Sequence, residues 1–548
     1  MPVCKHCNQE FFITDKDNIF YQKINVPPPT HCYYCRQQRR LAQGNALHLF
    51  KRHCDATGKE MLSCYPPESS FKVFSFEFWW SDQFDATAYG VDFDFNRPFF
   101  DQFRDLNNSV PRMALLNDFF SNENSDYTNH SGKNKNCYLI FDSDENRDCF
   151  YSYGMNKSRS SSDCYRVQNL ELCYEVLDST NCYNCAYISE CANCMESAFL
   201  FGCTGAKNCL FCVNLNHKEY HVFNQPVSKE EFTRIRESLS DYQTLIARAK
   251  EFEEFRLRFP YKFMHGFQTE NVIGNHVFSC KDCYMVFDST NMKDGAYASQ
   301  MFIQSKDCLD VDEGGLAELC YETNNFGYNS YDLQFCTSCF QQVTNLKYCT
   351  ECVGGSEHLF GCAGLKRKKY CILNKQYSEQ DYELLTQKII EHMKKTGEWG
   401  EFFPISTSPV PYNLSQAQEY YPLTKEQAVS FGYSWHDDEQ KDYQKSTVSL
   451  PSSIKATTPD ILNVVLSCTE CGKNYKIIPQ ELELHRQINL PLSPFCFFCR
   501  NKHRSQKRTP RAFWPRICAK CNKNIFSAYA PTRPEIIYCE ECYLKEVF

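Results

Sequence analysis

The chain of 548 residues contains no apolar run long enough to span a bilayer. Its opening residues, Met1-Pro2-Val3-Cys4, lack the basic stretch and apolar core of a secretory signal. The expectation is a cytoplasmic protein with no membrane partner. No phosphate loop, nucleophile elbow, His-Glu-x-x-His or dinucleotide fingerprint occurs, so no catalytic residue and no organic cofactor is nominated. The net charge of −8 is too mild to argue for or against nucleic acid. What the chain has instead is 35 cysteines, 44 phenylalanines and 34 tyrosines. Without an export signal, cysteines that recur as Cys-x-x-Cys suit metal better than disulfides. The length suits about three to four domains.

Three four-cysteine sets have the spacing of zinc ribbons. Residues 1–52 hold Cys4, Cys7, Cys32 and Cys35, and residues 460–511 hold Cys468, Cys471, Cys496 and Cys499. Residues 512–548 hold Cys518, Cys521, Cys539 and Cys542. Two knuckles deliver the four thiolates of a closed tetrahedral site, so about three zinc ions per chain are expected. Segments this small cannot fold on apolar cores alone, and structural zinc supplies on the order of 10 kcal/mol or more. The first two sets are displaced by 464 residues (468 − 4). The same displacement relates Phe11 to Tyr475, Asn25 to Asn489, Pro27 to Pro491, Arg36 to Arg500 and Arg40 to Arg504. Between the first two knuckles, Phe11, Phe12, Ile13, Phe20, Tyr21 and Ile24 read as the core of a small hairpin. His31 reads as a surface residue, since a fifth ligand is unneeded.

The pattern Cys-x-x-Cys, aromatic segment, Pro, Cys-x-x-Cys-Arg-x-x-x-Arg resembles the bacterial "probable zinc-ribbon" family over roughly residues 1–40 and 464–505. The ribbon–solenoid–ribbon layout is similar to Cys-rich proteins of small-genome candidate-phylum bacteria. Phrases such as Gly397-Glu398-Trp399-Gly400-Glu401-Phe402-Phe403-Pro404 and Pro422-Leu423-Thr424-Lys425-Glu426 share in that similarity. The resemblance implies zinc rather than an activity.

Both bracketing ribbons run into basic segments. Arg36, Arg39, Arg40, Lys51 and Arg52 follow the first, and Arg500, Lys502, Arg504, Lys507, Arg508 and Arg511 follow the second. Of these, Arg36, Arg40, Arg500, Arg504, Lys507 and Arg508 are the candidate phosphate contacts for RNA or DNA. The alternative is a helix whose arginines balance the negative charge of a four-thiolate site.

Between the ribbons, Asn136 to Asn374 reads as a duplicated, Cys-rich parallel β-solenoid. A Cys-Tyr-x-Ile/Val-Phe/Leu-Asp-Ser phrase opens at Cys137, Cys173 and Cys283. Cysteines nine apart (Cys173, Cys182, Cys191; Cys185, Cys194, Cys203, Cys212) suggest an eighteen-residue coil. Cysteine serves there as a small stacked hydrophobe. Asn or Asp directly before it, at Asn136, Asp148, Asp163, Asn181, Asn193, Asn208, Asp282 and Asp307, suits a left-handed corner. The rival reading is chelation by Cys182, Cys185, Cys191 and Cys194, and by Cys336, Cys339, Cys349 and Cys352. The solenoid halves are placed at 135–227 and 271–377. They end alike at an offset of 150 (Asn224 and Asn374), whereas Phe201-Gly202-Cys203 matches Phe360-Gly361-Cys362 at 159.

The remaining segments connect these parts. Residues 53–134 read as an aromatic and acidic linking region. Residues 228–270 read as a helical insert whose apolar seam runs Phe232, Ile235, Leu239, Tyr242, Ile246, Ala249. Residues 378–459 read as a capping helix, Ser378 to Lys395, and a Pro/Ser-rich tether. Free buried thiols are expected at Cys54 and Cys64. The fold expected is mainly β with some α. The function expected is a zinc-dependent, non-enzymatic scaffold with a macromolecular partner, protein or nucleic acid. The alternative is a β-helix enzyme on a glycan, using Asp142, Asp178 and Asp288 or the group Asp310, Asp312 and Glu313.

Overall fold

The computed structural model describes residues 1–118, 121–301, 305–312, 321–324, 337, 339, 343–437, 443–446 and 448–547. The chain forms two compact units, Met1–Leu115 with Met264–Asp437, and Leu116–Phe263 with Asp438–Phe548. The architecture is mixed α/β, with parallel strands dominating its largest sheet.

That sheet belongs to the second unit. Its ten strands, from Thr128–Gly132 to Gln225–Pro226, lie in sequence order, and only the last pair is antiparallel. Tyr138 pairs with Phe150, Phe150 with Ser162, Ser162 with Tyr174, Tyr174 with Ala186, and Ala186 with Ala198. Each step is twelve residues, which corrects the expected eighteen. The cause is a left-handed residue at every third position. Asn136, Leu139, Asp142, Glu145, Asp148 and Tyr151 begin the series, with φ between 49° and 60°. Four such residues fall within each twelve-residue step between paired strands. All eight Asn and Asp residues expected at corners have positive φ.

The residue after each corner points inward. Cys137, Ile140, Cys149, Met155, Cys164, Val167, Leu170, Cys173 and Val176, all spaced by multiples of three, share one core. The interior has room for a small side chain with one polar hydrogen. The thiols of Cys149 and Cys164 donate to carbonyls two residues back, at 3.3 and 3.2 Å. The hydroxyls of Ser158 and Ser161 do the same at 3.0 and 2.9 Å. Each serine then accepts the backbone N–H twelve residues on, Leu170 for Ser158 and Cys173 for Ser161. Cysteine and serine are thus interchangeable fillers that also satisfy backbone groups.

One outer corner is aromatic. Tyr187, Phe199, Phe211 and Phe223 stack with ring centroids 4.7, 5.0 and 4.9 Å apart, the spacing of neighbouring strands. The insert covers this column as two helices, not one seam: Lys229–Ser238 and Tyr242–Arg256. The break falls at Asp241, whose side chain caps the second helix by accepting from Thr244 N. Phe252 packs on Phe199 and Phe211.

In the first unit the second ladder steps by eleven, twelve or thirteen residues, eleven where Glu270 pairs with Lys281. Val311 pairs with Thr323 and Glu357 with Lys369, but Thr344 pairs with Glu357. These unequal steps blur its repeat. Both ladders end on an asparagine. Asn224 bonds N–H and C=O of Val213 at 2.8 and 2.9 Å, and Asn374 bonds those of Ala363 at 2.8 and 2.7 Å. The structural offset is therefore 150. Gly361 at its positive-φ corner corresponds to Phe211, so the match at 159 is three triplets out of register (159 − 150 = 9). The helix Glu379–Thr396 follows, capped by Ser378 and ended at Gly397 with φ 74°.

The aromatics of the linking region form a packed core, as their number suggested, and the segment read as an extended tether is packed too. In residues 53–115, Trp79, Phe99 and Phe103 are fully buried. Glu398 accepts from Phe99 N and Phe100 N at 2.9 and 2.8 Å, capping the helix Phe99–Ser109. In the expected tether, Tyr412, Ala417, Ala428 and Tyr433 share a core with Leu41 and Ala42. Gly400 lies so close to Pro27 that a Cβ would fall 2.6 Å from its ring.

Candidate metal centres

The first two ribbons are built alike. Cys4 N donates to Gln9 O at 2.9 Å and accepts Asn8 N at its carbonyl at 3.0 Å, a turn that needs left-handed Asn8. Cys468 makes the same pair of bonds with Lys473 and left-handed Gly472. The second pair of cysteines opens a helix: Cys32 caps Tyr33–Leu41, and Cys496 caps Phe497–Lys507. Between the two knuckles stands a helix, not the expected hairpin. It is Asp15–Lys23 in one ribbon and Pro479–Ile488 in the other. Thr14 and Asp17 form a reciprocal capping box on the first, and Phe12 is left exposed. The third ribbon is a hairpin, Trp514–Ile517 with Asn524–Ser527, whose turn carries Cys518 and Cys521. The helix Glu540–Val547 supplies Cys542.

In each set the four sulfurs lie within 4.8 Å of one another. The Sγ···Sγ separations are 3.7 Å for Cys7 and Cys32, 3.6 Å for Cys471 and Cys496, and 3.7 Å for Cys521 and Cys539. A tetrahedron with metal–sulfur bonds near 2.3 Å has edges of about 3.8 Å. The twelve thiols are free, and each set of four fits a metal ion. In each set one cysteine is favoured as thiolate while neighbouring thiols of the set are pushed up. Burial pushes Cys468 and Cys518 up, but backbone N–H groups from both knuckles of their sets outweigh it and hold them at about 7 and about 6. Cys32, hydrogen-bonded by the thiol and N–H of Cys35, is held at about 5.

The arginines nominated for phosphate do other work. In the first unit, Arg36 pairs with Asp310 at 3.0 Å, and Arg40 donates to Asp312 at 2.7 Å and Asp310 at 3.2 Å. Arg39 grips both oxygens of Glu322 at 3.0 Å. In the second unit, Arg500 bonds Asp163 and Glu481 at 3.0 Å each. Arg504 bonds Asp163 and, at 3.0 Å, Glu175, while Arg508 chelates Asp178. Arg36, Arg40, Arg500 and Arg504 are buried, and the side chain of Arg508 is 6% exposed. These five cannot present themselves to a nucleic acid. Lys507 alone of the six is exposed.

The acceptors Glu175, Glu322 and Glu481 escaped the sequence reading, and Asp163 was read only as a corner, although 163 and 175 stand twelve apart, as do 310 and 322. Burial raises the carboxyls of Glu175, Glu322 and Glu481 above the ordinary glutamate range, against the pull of their arginines. His31 is not a free surface residue. It bonds Thr30 at 2.9 Å and faces Glu401 at 3.6 Å.

The ladder cysteines read as core. Cys182, Cys185, Cys191 and Cys194 each donate to a backbone carbonyl at 3.2 to 3.5 Å. Cys339, Cys349 and Cys352 do likewise, while Cys336 lies outside the described residues. Among the described residues none of these sulfurs joins a metal-ligating group. Burial pushes Cys149, Cys164 and Cys173 well above the ordinary thiol range. The aspartates proposed for acid–base work are spent as well. Asp142 pairs with Arg166 at 2.9 Å, and Asp310 and Asp312 hold Arg40. Glu313 lies outside the described residues.

No family model matches the chain, and no curated protein matches it. No described helix is long and apolar enough to cross a membrane. The class defined by sheet and sites is a cysteine-rich protein with three four-thiolate groups that could bind metal.

Proposed function

We propose that the three groups hold zinc and that the two ladders are β-solenoids of twelve-residue coil. In this reading zinc fixes the start of two basic helices so that each clamps onto a solenoid. The ribbons then resemble the probable zinc-ribbon family in their metal. One observation carries the reading. In both units the helix that begins at a metal-ligating cysteine places its arginines, four and eight residues on, against one buried aspartate of the ladder, Asp310 in the first unit and Asp163 in the second. A metal that orders the helix start therefore orders the clamp.

Each clamped ladder suits a scaffold in a reducing, cytoplasmic setting. Its partner is a macromolecule, and protein chemistry fits best. Tyr183 and Met195 stand 36% and 43% exposed on one ladder column, between Glu171 and Lys207. The test is zinc counting by native mass spectrometry on the full chain. Three ions are expected, falling to two in Cys499→Ser. A chain purified without chelator that carries no zinc, or carries iron in its place, overturns the reading.

A further inference from the structure

The displacement of 464 residues does not stop at the second ribbon. It continues without a gap through the third, whose counterpart is residues 50–80. Phe50–His53 and Glu60–Ser63 form an antiparallel hairpin, as do Trp514–Ile517 and Asn524–Ser527. Cys54 N donates to Lys59 O at 2.8 Å and its carbonyl accepts Gly58 N at 2.8 Å; Cys518 makes both bonds, with Lys523 and Asn522, at 2.9 Å. Gly58 and Asn522 are both left-handed, with φ 69° and 60°. Ser75 N donates to Cys54 Sγ at 3.3 Å, and Cys539 N donates to Cys518 Sγ at 3.3 Å.

Further contacts match. Arg52 donates to Pro66 O at 3.0 Å and Arg516 to Ala530 O at 2.7 Å. Tyr65 N donates to Ser63 Oγ at 2.9 Å, and Tyr529 N to Ser527 Oγ at 3.1 Å. The third strand pairs in parallel with a strand of its own unit in both copies: Val73 with Arg112, and Ile537 with Tyr261. The metal-ligating positions differ. Where the third ribbon has Cys518, Cys521, Cys539 and Cys542, this one has Cys54, Thr57, Ser75 and Phe78.

We infer that residues 50–80 are a fourth ribbon that folds without metal, and that its geometry still outlines a tetrahedral thiolate site for zinc. Apolar packing takes the place of the ion. The ring of Phe78, at the fourth ligand position, lies 5.0 Å from Phe74, which in turn lies 5.4 Å from Phe84. Trp79 and Val73 are fully buried beside it. The knuckle keeps its polarity. Burial pushes the Cys54 thiol up, but the Thr57 hydroxyl and the N–H groups of Ser75, Ala56 and Thr57 outweigh it.

The inference rests on the zinc reading above for its metal, but not for its fold. The test is the full-length triple variant Thr57→Cys, Ser75→Cys, Phe78→Cys, expressed with zinc and weighed intact. It is expected to hold four zinc ions where the wild type and Cys54→Ser each hold three. A folded triple variant that holds three, or a wild-type fourth ion lost in Cys54→Ser, overturns the inference. Should the triple variant not fold, amide exchange on chelated wild type decides. Amides of 50–63 stay protected while those of 514–527 exchange. Joint loss at both segments overturns it. A wild type with no zinc defeats the zinc reading alone, since protection of 50–63 is still measurable.

Discussion

Arg40 and Arg504, separated by 464 residues, are both fully buried and both end on a ladder aspartate. Arg40 reaches Asp312 through Nε at 2.7 Å, and Arg504 reaches Asp163 through Nη1. The same helix position thus fastens a ribbon to a ladder in each unit. The order along the chain is not the same. The first unit takes its ribbon from before its ladder, and the second takes its ribbon from after it.

Breaking such a pair strands a buried carboxylate. Arg504→Met is expected to cost about 3–5 kcal/mol in urea unfolding, because Asp163 and Glu175 lose a neutralising partner. The double variant Arg504→Met, Asp163→Leu should recover part of that loss only if Arg500 remains satisfied by Glu481. An Arg504→Met variant as stable as wild type would show the clamp to be idle.

His485 gives the second unit an acid-sensitive step. It is fully buried, donates from Nδ1 to Leu490 O at 3.2 Å, and stands edge-on to Tyr174 at 4.6 Å, near Arg500 and Asp163. Burial, helped by Arg500, lowers it from 6.5 to about 4. Between those values the unfolded chain takes up a proton that the folded chain refuses. Stability is therefore complete above pH 6.5 and falls as pH drops toward 4, by about 3 kcal/mol in all. The residue 464 places earlier is Tyr21, packed on Tyr321 at 5.3 Å. His485→Tyr should remove that part of the pH slope; an unchanged slope would contradict the assignment.

The ladder interior tolerates serine for cysteine but not the loss of both. Cys149→Ser keeps a donor toward Arg147 O and should change stability by about 1 kcal/mol or less. Ser161→Ala leaves Cys173 N without its acceptor and should cost about 1–3 kcal/mol. Equal costs for the two in thermal or urea unfolding would contradict the proposed role of the interior hydroxyls and thiols.

Corner strain is measurable at Lys157, which is exposed with φ 51°. Lys157→Gly should stabilise by about 1 kcal/mol, and Lys157→Val should destabilise by a similar amount. Opposite signs would mean that the three-residue turn is not left-handed in solution.

The ribbons were legible because all four ligands of each lie within a short stretch and Cys-x-x-Cys has few competing uses. The corner residues were legible because asparagine and aspartate tolerate left-handed backbone. The coil length was not. In the first ladder any two interior cysteines differ by a multiple of three, so spacings of nine and thirty-six fit several coils, and only strand pairing selects twelve. The arginines misled because their carboxylates lie far along the chain, 272 residues for Arg40 and Asp312. The fourth ribbon was hidden because only Cys54 of its ligands survives, while the residues that keep its shape, Arg52, Lys59, Ser63 and Tyr65, carry no motif.

The most direct test compares amide exchange of the full chain before and after zinc is stripped by a strong chelator. Helices Tyr33–Leu41 and Phe497–Lys507 should lose protection, while strands from Tyr138–Asp144 to Lys207–Val213 keep theirs. Helices that stay protected without metal, or strands that open together with them, would contradict a metal that orders the clamp and a ladder that stands without it.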